Sequence, residues 1–145
     1  VAWSQDALLH SADRRRVLGE VARVLASGGS FVCTDPMQAE TADPALLAPV
    51  LERLNLESLA SPGFYKSAAE EVGIPMRSFV DLTEHLTRHY GRVLEELEKN
   101  EHLVRSRSGD EYVDRMKRGL ANWVAAGKAG ALVWGIMVFE KTAAH

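Results

Sequence analysis

Near one end of the chain, Trp3-Ser4-Gln5-Asp6-Ala7-Leu8-Leu9-His10-Ser11 sets a carboxylate four positions from an imidazole. An imidazole takes up and releases its proton near neutral pH, and a neighbouring carboxylate either orients the ring or pairs with a cation. Asp6 and His10 together could therefore move a proton or hold an amine. If residues 4–11 are helical, the two side chains lie one turn apart on the same face and address one pocket. The same spacing equally suits a capped helix, with Ser4 as N-cap, Asp6 at the positive end of the helix dipole and His10 on the surface. A second four-residue spacing, His85 to His89, is one that zinc sites use. No third ligand stands near it in sequence, so no metal is expected. Cys33, the single cysteine, reads as a small core residue within a strand and cannot form an internal disulfide.

The chain that must position these groups has 145 residues, 46% apolar and 26% charged, enough for one domain with a buried core. A net charge of -3 speaks against a nucleic-acid surface or a polybasic membrane patch and leaves a small molecule or a protein as partner. The longest apolar run, residues 129–139, is shorter than the roughly 20 residues that span a bilayer. One cysteine and no apolar leader before Trp3 suggest a reducing cytoplasm.

Apolar spacing at Val17, Val21, Val24 and Leu25 predicts a helix from Asp13 to the Gly28-Gly29 stop. Residues 30–34 read as a short buried strand. Asp43-Pro44 opens a helix with its stripe at Leu46, Leu47, Val50, Leu51 and Leu54, running to about Leu59. A short helix over 64–72 and a strand over 76–82 follow. Thr83 opens a long helix closed by residues 105–109, and Asp110 opens another, with Val113, Met116, Leu120, Trp123 and Val124 inward and Gly127 as its stop. Residues 131–140 form a last strand whose unbroken apolarity predicts burial on both faces. Five helices and three strands make an α/β chain whose sheet is small for its helices.

Residues 3–37, WSQDALLHSADRRRVLGEVARVLASGGSFVCTDPM, resemble the middle of a class I S-adenosylmethionine-dependent methyltransferase, with Ser27 where that family usually has proline before the diglycine. Phe64-Tyr65, the stretch from Asp81-Leu82-Thr83 to Leu97, and Trp134-Gly135 extend the resemblance to one branch, the sarcosine/dimethylglycine N-methyltransferases of betaine synthesis, which is close to the phosphoethanolamine methyltransferases. The resemblance implies a single domain over 1–145 that is the C-terminal portion of a Rossmann-like methyltransferase sheet. It would comprise strands five to seven, the last antiparallel between the other two, with a large helical component of which 83–127 is an insertion. The family's glycine-rich cofactor loop has no counterpart, since the sequence holds no G-x-G. By that reading the first half of the domain is missing, the isolated chain is inactive, and the edge of strand 30–34 is uncovered and open to self-association.

The implied reaction is methyl transfer from S-adenosylmethionine to the amine of sarcosine or dimethylglycine, for which the protein aligns the reactants and controls amine protonation. His10 would accept the proton, and Asp6 would pair with the ammonium or hold the imidazole. The resemblance places Gln5 at the cofactor, with Trp3 and Ser4 beside it. Arg53 and Lys117 would take the anionic end of the substrate, and Tyr65, with Tyr90 and Trp134, would offer aromatic faces to a methylated ammonium. Two alternatives stand beside this reading: another small acceptor such as phosphoethanolamine or a sterol, and a non-catalytic helical module for binding or dimerisation.

Overall fold

In a computed structural model that describes residues 1–142, the chain runs through β1 (Ala2–Gln5), a 3₁₀ turn (Leu8–His10), α1 (Arg14–Val24), β2 (Ser30–Thr34), β3 (Met37–Gln38), α2 (Pro44–Leu54) and α3 (Pro62–Glu71). It continues through β4 (Met76–Asp81), α4 (Thr83–Lys99), α5 (Glu101–Ser108), α6 (Asp110–Lys128), β5 (Leu132–Val133) and β6 (Gly135–Glu140). Short polar side chains start three of the helices by accepting from the otherwise unpaired amides of the first turn. Asp13 Oδ1 accepts from the Arg16 amide at 3.0 Å, Asp43 Oδ1 from Ala45 at 2.8 Å, and Ser61 Oγ from Phe64 at 3.1 Å.

The main sheet has the order β1-β2-β6-β4. β1 is parallel to β2, with Gln5 opposite Thr34, and β6 lies antiparallel between β2 and β4. β3 and β5 form a separate two-residue antiparallel pair. α1 and α3 cover one face of the sheet, where Leu18, Tyr65 and Ala69 are buried with Phe31, Cys33, Met137 and Phe139. α2, α4 and α6 build a second core around Val50, Leu86 and Trp123, joined by Leu132. A side chain at Gly135 would collide with the Val80 carbonyl oxygen, so only glycine lets β6 approach β4 at that point. Trp134, just before it, stands between β5 and β6 and belongs to neither strand.

Several expectations change. Residues 2–5 are a strand, so 4–11 is not a helix: the order is strand, tight turn and one 3₁₀ turn. β1 consequently covers the edge of β2 that was expected to be bare, and the unpaired outer edge belongs to β1. The helix from Pro44 stops at Leu54, short of Leu59, because Asn55 adopts left-handed backbone (φ 52°). The long helix from Thr83 breaks at Asn100 into α4 and α5. Val24, expected inward, is exposed, and Leu18 and Ala22 occupy the buried side of α1 instead. The last strand is interrupted at Trp134, and β6 alternates between buried and half-buried positions, so it is not covered on both faces. Among the described residues no helix is long and apolar enough to cross a membrane.

Candidate active site

β1 and β2 deliver two carboxylates side by side, because parallel strands bring their C-terminal ends to the same edge of a sheet. Asp6 follows β1 and Asp35 follows β2. Asp6 turns the chain with φ 48°, a conformation a non-glycine residue holds only where its surroundings compensate. The compensation is visible in three hydrogen bonds. The Asp6 amide donates to the Thr34 carbonyl at 2.9 Å, and Asp6 Oδ1 accepts from Thr34 Oγ1 and from Trp134 Nε1, each at 2.8 Å. Among the described residues Oδ2 has no protein donor, so it can accept from a ligand.

Asp35 is fully buried. Its Oδ1 accepts from the Leu9 amide at 3.0 Å and its Oδ2 from the Tyr65 hydroxyl at 2.7 Å. Burial pushes its pKa from the ordinary value up to about 6, against the lowering effect of those two donors. Burial and the nearby Asp35 charge likewise push the Tyr65 phenol up, and burial raises the Cys33 thiol to about 12. Arg14 Nη2 completes the clamp, donating to the Leu9 carbonyl at 2.9 Å and the Ser58 carbonyl at 2.7 Å. The 3₁₀ turn carrying His10 is thus held through both backbone groups of one residue, Leu9.

Above these strand ends lies a cavity of about 400 Å³ whose wall includes Gln5, Asp6, His10, His89, Tyr90 and Trp134. The Tyr90 ring is fixed from behind by Trp123, with ring centres 4.7 Å apart, and the Arg53 guanidinium lies 5.5 Å from its centre. Burial raises the Tyr90 phenol, partly offset by Arg53. The cavity therefore combines an available carboxylate oxygen, two aromatic faces and imidazoles, a set suited to a small ammonium ion that must also lose a proton.

Asp6, His10 and Gln5 come together here, although by strand and turn rather than by helix. His85 also reaches this cavity, so the two histidines of zinc-like spacing contribute to its wall. Among the described residues no three His, Cys, Asp or Glu side chains are grouped to hold a metal ion. The other expected site residues lie elsewhere. Tyr65 is buried in the core and donates from its hydroxyl to Asp35 Oδ2. Lys117 on α6 donates to Glu101 Oε2 on α5 at 2.8 Å, an ion pair joining two helices. Arg53 stands behind Tyr90, its stem packed where a side chain at Gly119 would be, and lines a separate depression with Arg115 and Arg118. Trp3, 62% exposed, is not among the residues that line the cavity, and Ser4 is paired with Cys33 on the opposite face of the sheet. Thr34 and Asp35, which hold the site in shape, were legible only as the end of a strand followed by Pro36.

No family model matches the chain. It is 50% identical over 141 residues to the sarcosine/dimethylglycine N-methyltransferase of Aphanothece halophytica, a match covering 97% of this chain and 51% of that protein. A crystal structure from Galdieria sulphuraria named as a sarcosine dimethylglycine methyltransferase superposes with a TM-score of 0.89 at 40% identity, over 97% of this chain and 52% of that one. The fold is shared with a Haemonchus contortus phosphoethanolamine N-methyltransferase bound to S-adenosylhomocysteine, at a TM-score of 0.84 and 13% identity, over 97% of this chain and 32% of that one. The chain thus spans about half the length of the curated sarcosine/dimethylglycine relatives it matches. With this identity sustained over nearly every residue, the chain is similar throughout to about half of a sarcosine/dimethylglycine N-methyltransferase.

Proposed function

We propose that this chain is the acceptor-side, C-terminal part of a methyltransferase that moves a methyl group from S-adenosylmethionine to the amine of sarcosine or dimethylglycine. β1, β2, β4 and β6 then correspond to strands four to seven of the complete sheet, and α4 to α6 form a helical insertion over the site. The observation that carries the reading is Asp6, locked by Thr34 and Trp134 with one oxygen left to an aromatic cavity.

Toward the cofactor the chain offers little. Gln5 stands at the end of β1 on the cavity wall, and the sequence contains no glycine cradle that would let backbone approach the methionine part. The residues present therefore do not hold S-adenosylmethionine by themselves, and no step is routed through it. In the complete enzyme that cofactor supplies a methyl group already activated on sulfur. The chain's own residues receive the amine. Asp6 Oδ2 pairs with the incoming ammonium, and the faces of Tyr90 and Trp134 take its N-methyl groups. His10 accepts the proton that either ammonium must release before its nitrogen lone pair can attack; after transfer the product of sarcosine still carries one N–H proton, whereas the product of dimethylglycine is quaternary and carries none. Arg53, its guanidinium 5.5 Å from the centre of the Tyr90 ring, fixes that ring.

The test uses this chain joined to the remaining half of the Aphanothece halophytica relative, assayed with sarcosine, dimethylglycine and phosphoethanolamine. Turnover of the two glycine derivatives is expected. Turnover of phosphoethanolamine alone would overturn the reading. The isolated chain is expected to show no binding of S-adenosylmethionine by calorimetry, and micromolar binding would contradict the assignment of its binding loop to another segment.

A further inference from the structure

Between α2 and α6 lies a second depression, of about 360 Å³, that shares no wall residue with the acceptor cavity. Three guanidinium groups line it. Arg53 comes from α2, while Arg115 and Arg118, three positions apart and so on one face of α6, come from the other side. Asn122, one further turn along that face, adds a side-chain amide, and Glu52 is the single acid among the described wall residues. A side chain at Gly119 would collide with Arg53 Cδ and displace this arginine from α6, so the glycine is what gives the depression its third cation.

Elsewhere on these helices cations are matched: Arg88 pairs with Glu84, Arg105 with Glu101, Asp110 and Asp114, and Lys117 with Glu101. Among the described residues Arg53, Arg115 and Arg118 form no ion pair. Three fixed positive charges against one negative leave the depression cationic on a chain whose net charge is -3. Guanidinium groups stay charged throughout the pH range of a folded protein, and a group of them gains most from an anion placed between them. Each fork offers two parallel N–H donors, and three forks with an amide outnumber the roughly four acceptor sites of one carboxylate. A tetrahedral oxyanion with two charges fits the donor set better.

Arg53 is shared between the two hollows. Its guanidinium lies 5.5 Å from the centre of the Tyr90 ring, which is a wall of the acceptor cavity. An anion that draws Arg53 toward Arg115 and Arg118 loosens that wall, and a ligand packed on Tyr90 draws Arg53 back.

We infer that the depression between α2 and α6 binds a doubly charged oxyanion, either inorganic phosphate or a phosphate monoester, and that Arg53 couples it to Tyr90 so that anion and amine oppose each other. The site stands on its own residues, whereas the coupling rests on the proposed acceptor cavity.

Inorganic phosphate, glycerol phosphate and acetate are titrated by calorimetry at fixed ionic strength into this chain and into its fusion with the complementary half of the Aphanothece halophytica relative. Saturable binding of one or both phosphates is expected, the tighter one identifying the source, with acetate roughly tenfold weaker or more. The double variant Arg115→Gln/Arg118→Gln should bind phosphate roughly tenfold more weakly or worse, with an unchanged urea midpoint because both side chains are exposed. In the fusion, saturating phosphate is expected to raise KM for sarcosine roughly fivefold with little change in kcat, and the double variant should lose this effect. Sarcosine should in turn weaken phosphate binding by a comparable factor. Absence of saturable phosphate binding, or binding that the double variant retains, would overturn the site. A KM indifferent to bound phosphate would overturn the coupling. If the fusion methylates neither sarcosine nor dimethylglycine, phosphate binding that depends on Arg115 and Arg118 still supports the site, and the proposed function alone falls.

Discussion

Two carboxylates stand at neighbouring strand ends and have opposite fates. Asp6 spends one oxygen on Thr34 and Trp134 and keeps the other for the cavity, while Asp35 is sealed with both oxygens occupied and its pKa lifted to about 6. One address in the fold therefore supplies both a group that can meet a ligand and a group that holds the loop carrying it. The difference is one of burial: Asp6 turns the chain in left-handed backbone and stays partly exposed, whereas Asp35 is fully buried beneath the Leu8–His10 turn whose Leu9 amide it accepts from.

The largest effect expected from breaking this pairing is structural. Asp35→Ala leaves the Leu9 amide and the Tyr65 hydroxyl buried without an acceptor, at a cost of about 4 kcal/mol, read from urea unfolding. The charge of Asp35 can be isolated by pH. The folded state keeps its proton up to about pH 6, while the unfolded chain releases it near 3.8, so in that window the folded state binds more protons. Stability of the native chain relative to Asp35→Asn should consequently fall as pH rises from 4 to 6, by on the order of 3 kcal/mol, and stay level above it. A difference that grew with pH would reverse the assignment.

Asp6 should behave in the opposite way. Asp6→Asn in the fused enzyme is expected to lower kcat/KM for sarcosine roughly 100-fold while leaving the urea midpoint nearly unchanged, since it removes the charge proposed to meet the ammonium and keeps the oxygen that Thr34 and Trp134 hold. Trp134→Phe keeps the ring and deletes the donor to Asp6, and a loss of roughly tenfold is expected, chiefly in KM. Lys117→Ala should change neither transfer nor the urea midpoint, because its partner Glu101 lies on the helix next door and both are partly exposed. A large loss of transfer there would return Lys117 to the substrate site.

Much of the helical frame was legible along the chain. The caps at Asp13, Asp43 and Ser61 act over two or three residues, and the apolar stripes of α2 and α6 act over one turn at a time, so local sequence suffices to find them. β2, β4 and the body of β6 were visible for the same reason. β1 was not, because Ala2–Gln5 has no strong strand pattern and becomes extended by pairing with β2, some thirty residues away. The candidate site was half legible. Asp6 and His10 stand out as chemical types at close spacing, but the helix considered for residues 4–11 is a strand and a turn, and the partners of Tyr65 and Lys117, Asp35 and Glu101, lie too far along the chain for local spacing to show.

By itself the sequence determined the chemistry on offer and the punctuation: a carboxylate near an imidazole, the breaks at Gly28-Gly29 and Ser61-Pro62-Gly63, and a final strand too apolar for a wet face. Only the tertiary structure decided that Trp134, 128 residues from Asp6, fixes its carboxylate, and that Asp35 rather than Asp6 is buried. Those outcomes depend on which strands pair and which face each side chain takes, and pairing is a property of distant segments meeting, which no local spacing encodes.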